Sequence, residues 1–171
     1  MFNNKPINNS YQVTSQIYAG EYPIHKDKES GFVKMKQFES FGITHFVDLT
    51  EEGELAPYDK MLYSGTSYLR FPIRDVSVPK SMDEVRKLIK HIINIVNNNP
   101  EAKVYIHCWG GVGRTGTIVG CLLSELYQLS YIESITKLEQ LFSACPKSAY
   151  RETPENAEQR NFIDSFIRNK H

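Results

Sequence analysis

The segment Lys103–Gly116, KVYIHCWGGVGRTG, decides how the rest of the chain is read. KVYIH is a short apolar run with the character of a buried strand. It passes through a loop with glycines at 110, 111 and 113 and leads straight into an apolar helical stretch at roughly 115–129. Those glycines let the backbone turn tightly without Cβ clashes, so that several N–H groups can point inward. The helix starting near Arg114 adds its positive N-terminal end, and the two together make a cradle suited to a phosphate. Arg114 contributes a planar fork able to grip two oxygens. Cys108 sits at the end of the strand, inside that cradle. The same donors favour its thiolate, the nucleophilic form of the side chain.

Other readings of the loop fit less well. A lone Gly-rich connection with an inert packing cysteine is common, but here a cysteine and an arginine stand six residues apart at its two ends. A Walker-type loop needs Lys followed by Ser or Thr after its last glycine, and Gly113 is followed by Arg114 and Thr115. A metal site on His107 and Cys108 is weak, because neighbouring strand residues point to opposite faces and no second Cys/His pair has ligand spacing. No metal and no cofactor is expected.

Outward from the loop, strands alternate with helices. Gln16–Ala19 reads as a first strand, stopped by Gly20 and the turn at Pro23. Phe32, Met35, Phe38 and Phe41 mark a helical face ended by Gly42. Ile43–Leu49 is a buried strand, followed by the acidic loop EEGELAPYDK, and Tyr68–Ile73 is another strand. Ser81 with Glu84 forms a capping box ahead of the stripe Val85, Leu88, Ile89, Ile92, Ile93 and Val96, which NNNP at 97–100 ends. Two more helices are expected at about 132–144 and 155–168. The order predicts an α/β fold: one three-layer sandwich domain, its central, mostly parallel sheet flanked by helices. Ligands of such sheets bind outside the carboxyl ends of the strands, where the loop after KVYIH lies.

At 171 residues, 40% hydrophobic and 23% charged, the chain has the size and composition of one globular domain, expected over 15–169 behind a flexible, Asn-rich arm at 1–14. Twenty Lys and Arg balance twenty Asp and Glu, so no global field draws it to nucleic acid or to an acidic membrane. Three cysteines without paired spacing argue against a disulfide framework. No run approaches the roughly 20 apolar residues of a membrane span, and the opening MFNNKPINNSYQ lacks the apolar core of a signal peptide. The expectation is a cytoplasmic protein without membrane insertion.

His107-Cys108, five residues, then Arg114-Thr115-Gly116 resembles the signature of the cysteine-based protein tyrosine phosphatase superfamily. QIYAGEYP is similar to the opening strand of its compact dual-specificity group, FPIRDVSVP to their general-acid loop, and TPENAEQRNFI to a late segment that carries a water-positioning glutamine in some members. The resemblance implies a phosphatase-like fold and hydrolysis of a phosphomonoester through a phosphocysteine at Cys108. Arg114 and the loop residues Trp109, Gly110, Gly111, Val112 and Gly113 would bind the phosphate. Asp75 would serve as general acid and then base, although alone it also reads as an exposed carboxylate or a partner of Arg74. Thr115 would ease departure of the thiolate, or merely open the helix. His107 would hold the loop from behind, as a buried core histidine also would. Gln159 would orient water, or stand on the surface of a helix.

Trp109 departs from the small or polar residues common at its position and must line or wall the pocket. The segment DLTEEGEL (48–55) either tunes substrate charge or is a solvated acidic turn, and Arg70, Arg74 and Lys80 are candidates for a basic rim. The substrate is a phosphorylated protein or a small phosphomonoester. With no basic residue among 109–113, protein phosphotyrosine, with or without phosphoserine and phosphothreonine, leads over an inositol phosphate, a phospholipid or a nucleotide. A phosphate-binding pseudo-enzyme is the competing class, although candidates for nucleophile, arginine and acid are all present.

Overall fold

KVYIH becomes the middle strand of a five-stranded sheet in the computed structural model, which describes residues 4–24 and 28–170. In chain order the elements are β1 Ser10–Thr14, β2 Ile17–Gly20, α1 Lys28–Phe41, β3 His45–Asp48, β4 Ser67–Arg70, α2 Met82–Asn98, β5 Val104–His107, α3 Gly113–Tyr127, α4 Tyr131–Phe142 and α5 Ala157–Arg168. The strand order is β1-β2-β5-β3-β4, parallel except for the antiparallel β1 at the edge.

Alternation along the strands divides the core into two layers. Ile17, Ala19, Val47, Val104 and Ile106 face a cluster shared with α2, α3, α4 and α5. Tyr18, Phe46 and Tyr105 face the opposite side, where Met35 and Phe38 of α1 cover them. The expected three-layer sandwich is therefore present. Each large apolar side chain fully buried in either layer contributes roughly 1.5–3 kcal/mol. Among the described residues no helix is long and apolar enough to cross a membrane.

Two local expectations need correction. The loose arm at 1–14 does not hold for Ser10–Thr14, which form β1; residues 1–3 lie outside the described residues. Alternation in SYQVT buries Tyr11 and Val13, and Tyr11 packs edge-on against Phe142 of α4. Phe32, expected on the buried face of α1, is 57% exposed. Steps of three residues rotate by about 60° per step around a helix of 3.6 residues per turn, so Phe32 and Phe38 cannot share one narrow face. Helix ends follow the sequence more closely. Gly42 adopts φ +96° beyond α1, and Ser81 Oγ accepts from the Glu84 N–H at 3.2 Å to cap α2.

The register brings Gly20, His107 and Asp48 side by side at the carboxyl ends of three parallel strands. The site is built on that edge.

Candidate active site

The loop after β5 is shaped by ties on its carbonyls. Trp109 C=O accepts from the Tyr22 N–H at 2.9 Å, Gly110 C=O from Lys147 Nζ at 2.9 Å, and Val112 C=O from Thr153 Oγ1 at 2.7 Å. With these carbonyls drawn outward, the N–H groups of residues 109–112 donate to no protein acceptor among the described residues. Gly111 and Val112 are buried. Buried N–H groups ordinarily find a partner, and those of Gly111 and Val112 are left open to a ligand. Gly111 is required twice over. It has φ +75°, and a Cβ there would stand 2.3 Å from the Gly20 carbonyl carbon.

Cys108 is buried at 3% exposure and takes a hydrogen bond from Thr115 Oγ1 at 3.0 Å. Thr115 lies in the first turn of α3, so the helix delivers both its positive end and a hydroxyl to the sulfur.

Arg114 is buried, with three of its donors committed. Nη1 donates to Glu54 Oε1 at 2.8 Å and to the Ile73 carbonyl at 2.9 Å, and Nη2 to Glu54 Oε2 at 2.7 Å. Glu54 thus takes the end-on edge of the guanidinium. The side edge, Nε with the second Nη2 hydrogen, remains for an oxyanion. Asp75 Oδ1 lies 3.2 Å from Nη2. The hydrogen bond from Arg114 holds the Glu54 carboxyl below the usual glutamate range.

Behind the loop, His107 is fully buried, and that burial lowers its pKa to about 4. At neutral pH it is therefore uncharged. Tyr58, whose phenol burial pushes far upward, keeps its proton and donates to His107 Nε2 at 2.6 Å. The other ring nitrogen then carries the hydrogen and donates to the Cys108 carbonyl at 3.2 Å. Asp48 Oδ1 stands 3.9 Å from this nitrogen. Burial works against ionisation of Asp48, but His107 and hydrogen bonds from Thr50 and Tyr68 outweigh it and leave its pKa lowered.

A cavity of about 450 Å3 opens onto these groups, lined among others by Cys108, Arg114, Asp75, Trp109, Tyr150 and Glu155. A thiol, a guanidinium with a free edge, a ring of N–H donors and a carboxylate thus share one cleft. Residues 13–152 match the family described as "Swiss Army Knife protein, DSP-PTPase phosphatase domain". The chain belongs to that family. Among curated relatives, the putative tyrosine phosphatase 197R of Invertebrate iridescent virus 6 is 33% identical over 130 residues, 73% of this chain and 43% of the viral protein. The putative tyrosine phosphatase 067L of Invertebrate iridescent virus 3 is 26% identical over 165 residues, 92% of this chain and 65% of the relative. The chain thus spans less than two thirds of the length of either relative. Two solved structures share the fold: Tk-PTP in its active form, with TM-score 0.75, 20% identity and coverage of 95% of this chain and 98% of that one, and PTPMT1 in complex with PI(5)P, with TM-score 0.70, 16% identity and coverage of 94% and 95%.

Within this DSP-PTPase domain the structure brings most of the residues singled out by sequence together. Cys108, Arg114, Thr115 and the loop 109–113 converge as expected, and Asp75 joins them at the mouth through Arg114 rather than Arg74. Trp109 is 60% exposed on the cavity wall. Gln159 departs from expectation. It is fully buried and absent from the cavity lining, and its amide is spent on the backbone: Oε1 accepts from the Glu155 N–H and Nε2 donates to the Ser77 carbonyl, both at 3.1 Å.

The expected basic rim is also displaced. Arg70 turns to Asp48, and the cations that line the cavity beside Arg114 are Lys34, Lys147 and Arg151. Nor is the acidic loop simply solvated, since Asp48 is buried and Glu54 orients the arginine. Nothing in the spacing of EEGEL marks Glu54; its partner lies 60 residues away.

Proposed function

We propose that this domain is a phosphomonoester hydrolase that acts through a phosphocysteine. The observation that carries the reading is the Cys108 sulfur, held by the Thr115 hydroxyl inside a ring of unpaired N–H groups, with one edge of Arg114 left for an oxyanion. The thiolate attacks phosphorus and forms an S–P bond while the bond to the leaving oxygen breaks, and Asp75 gives that oxygen its proton. Water then attacks phosphorus, Asp75 takes the proton, and the S–P bond breaks to release inorganic phosphate and the thiolate. The Thr115 hydrogen bond stabilises that departing thiolate. The N–H ring and Arg114 offset charge that builds on the equatorial oxygens in both steps.

Phosphotyrosine in a protein is the substrate class we favour. Trp109 and Tyr150, exposed at 60% and 73%, flank the cavity with aromatic surface. The cationic lining is largely neutralised, with Lys34 and Lys147 sharing Glu21 and Arg151 paired to Glu155. A polyanionic headgroup therefore finds little uncompensated positive charge. A phosphoinositide, such as the PI(5)P named with PTPMT1, or a free inositol phosphate is the second reading, and it would draw on Lys34 and Lys147. We place the protein in a reducing compartment, the cytoplasm, because Cys108, Cys121 and Cys145 are all free thiols and the nucleophile must be reduced to act.

The deciding experiment pairs Cys108→Ser with a panel of phosphotyrosine and phosphoserine peptides, inositol phosphates and nucleotides. Turnover should disappear in the variant while vanadate still binds, and phosphotyrosine should lead the panel. Turnover retained by the variant would remove the mechanism; an inositol phosphate in first place would move the substrate class.

A further inference from the structure

We infer that the first turn of α5 anchors the loop carrying Asp75, and that Asn156 and Gln159 are positioning residues for this acid. The inference rests on the hydrolase reading above.

Asp75 has little to hold it where it stands. Its side chain is half exposed, and apart from a hydrogen bond with the next residue's N–H its contact is Arg114 Nη2, a group that a substrate phosphate would also claim. The next residue, Val76, has φ +62° and is itself exposed. A β-branched residue in the left-handed region is strained, and such strain persists only where the surroundings over-determine it.

Two consecutive carbonyls supply that constraint. Asn156 Nδ2 donates to the Val76 carbonyl at 3.0 Å, and Gln159 Nε2 donates to the Ser77 carbonyl at 3.1 Å. Each amide also accepts at its oxygen. Asn156 Oδ1 takes the Gln159 N–H at 2.9 Å as the cap of α5, and Gln159 Oε1 takes the Glu155 N–H. Both positions therefore need a side chain that donates and accepts at once. Gln159 is fully buried, so its orientation is set by packing as well as by these bonds. Glu155 connects the anchor to the cradle, because its carboxylate lies where a Cβ on Gly113 would be, 2.1 Å from that position.

The chemistry of the pair provides a clean test. Asn156→Asp retains a good helix cap but cannot donate to Val76. Gln159→Glu retains the acceptor for Glu155 but cannot donate to Ser77. Both are measured across aryl phosphates whose leaving groups range from nitrophenols to phenol, with kcat/KM as the readout and vanadate inhibition as the control for an intact cradle.

Each variant should lose about ten-fold for phenyl phosphate and less than two-fold for nitrophenyl phosphates, short of the roughly hundred-fold or greater loss for removal of a general acid. Vanadate inhibition should stay within two-fold, and Asn156→Asp should add no further loss in an Asp75→Asn background. Equal losses for good and poor leaving groups, additivity with Asp75→Asn, or no loss at all would overturn the positioning role. Asn156→Asp decides the matter should Gln159→Glu fail to fold. Absence of all turnover by the unmodified chain overturns the hydrolase reading and this inference with it, whereas uniform losses overturn this inference alone.

Discussion

The loop 108–113 and the loop 74–80 line the same cavity, yet they are held by different means. The first is largely buried, its carbonyls tied to Tyr22, Lys147 and Thr153 and its turn pressed against the Gly20 backbone. The second is exposed at Asp75 and Val76, and the side chains of Asn156, Gln159 and Arg114 hold it. Charge develops on the equatorial oxygens at one place for every phosphomonoester, so a rigid cradle suits it. Leaving groups differ in size and position, so a proposed acid is better placed at the open mouth of the cavity, held from behind by two side-chain amides.

The contrast is most exposed to failure at Gly111. Gly111→Val places a β-branched residue at φ +75° and drives its Cβ into the Gly20 backbone. It should cost about 3 kcal/mol or more in chemical unfolding and weaken vanadate binding by about a hundred-fold or more. A variant that binds vanadate as well as the parent would show that the cradle is not rigid.

On the other loop, Asp75→Asn should lower kcat/KM for phenyl phosphate by about 10² to 10⁴-fold. Stability should shift by less than about 0.5 kcal/mol, because the side chain is half exposed. A comparable loss for nitrophenyl phosphates would argue against an acid at this position.

Acid should distinguish the loops a second way. The pKa of His107 is near 4 in the folded chain, against an ordinary 6.5. As pH falls below about 6.5 the unfolded chain takes up a proton that the folded one refuses, so stability declines until pH reaches about 4 and then levels for this group. The loss is on the order of 3 kcal/mol. His107→Gln should flatten the stability profile over that window, as read by thermal unfolding; an unchanged slope would assign the sensitivity elsewhere.

The smallest effect belongs to Trp109. Trp109→Ala should leave stability and vanadate binding unaltered and reduce the preference for aryl over alkyl phosphates by about three- to ten-fold, the worth of one aromatic contact. An unaltered ratio of kcat/KM values would remove the indole from substrate recognition.

Much of this arrangement could be read from short stretches. HCWGGVGRTG carries its cysteine, glycines and arginine in one run, and the strand before it and helix after it follow from local pattern. The β1 strand is not legible in the sequence because Asn-rich composition obscures the alternation of SYQVT, whose burial depends on α4. Gln159 is ambiguous in the sequence for a related reason: an amide on a helix face can order water or bind backbone, and only the neighbour it meets decides between them.

By itself, then, the sequence determined the glycine-rich loop, the cysteine and arginine at its ends and the alternation of strands and helices, because those depend on residues adjacent in the chain or repeated at a regular spacing. Tertiary structure decided that Glu54 orients Arg114 across 60 residues and that Gln159 reaches Ser77 across 82. Single carboxylates and amides carry no periodicity and take their meaning from the partner folding brings within about 3 Å.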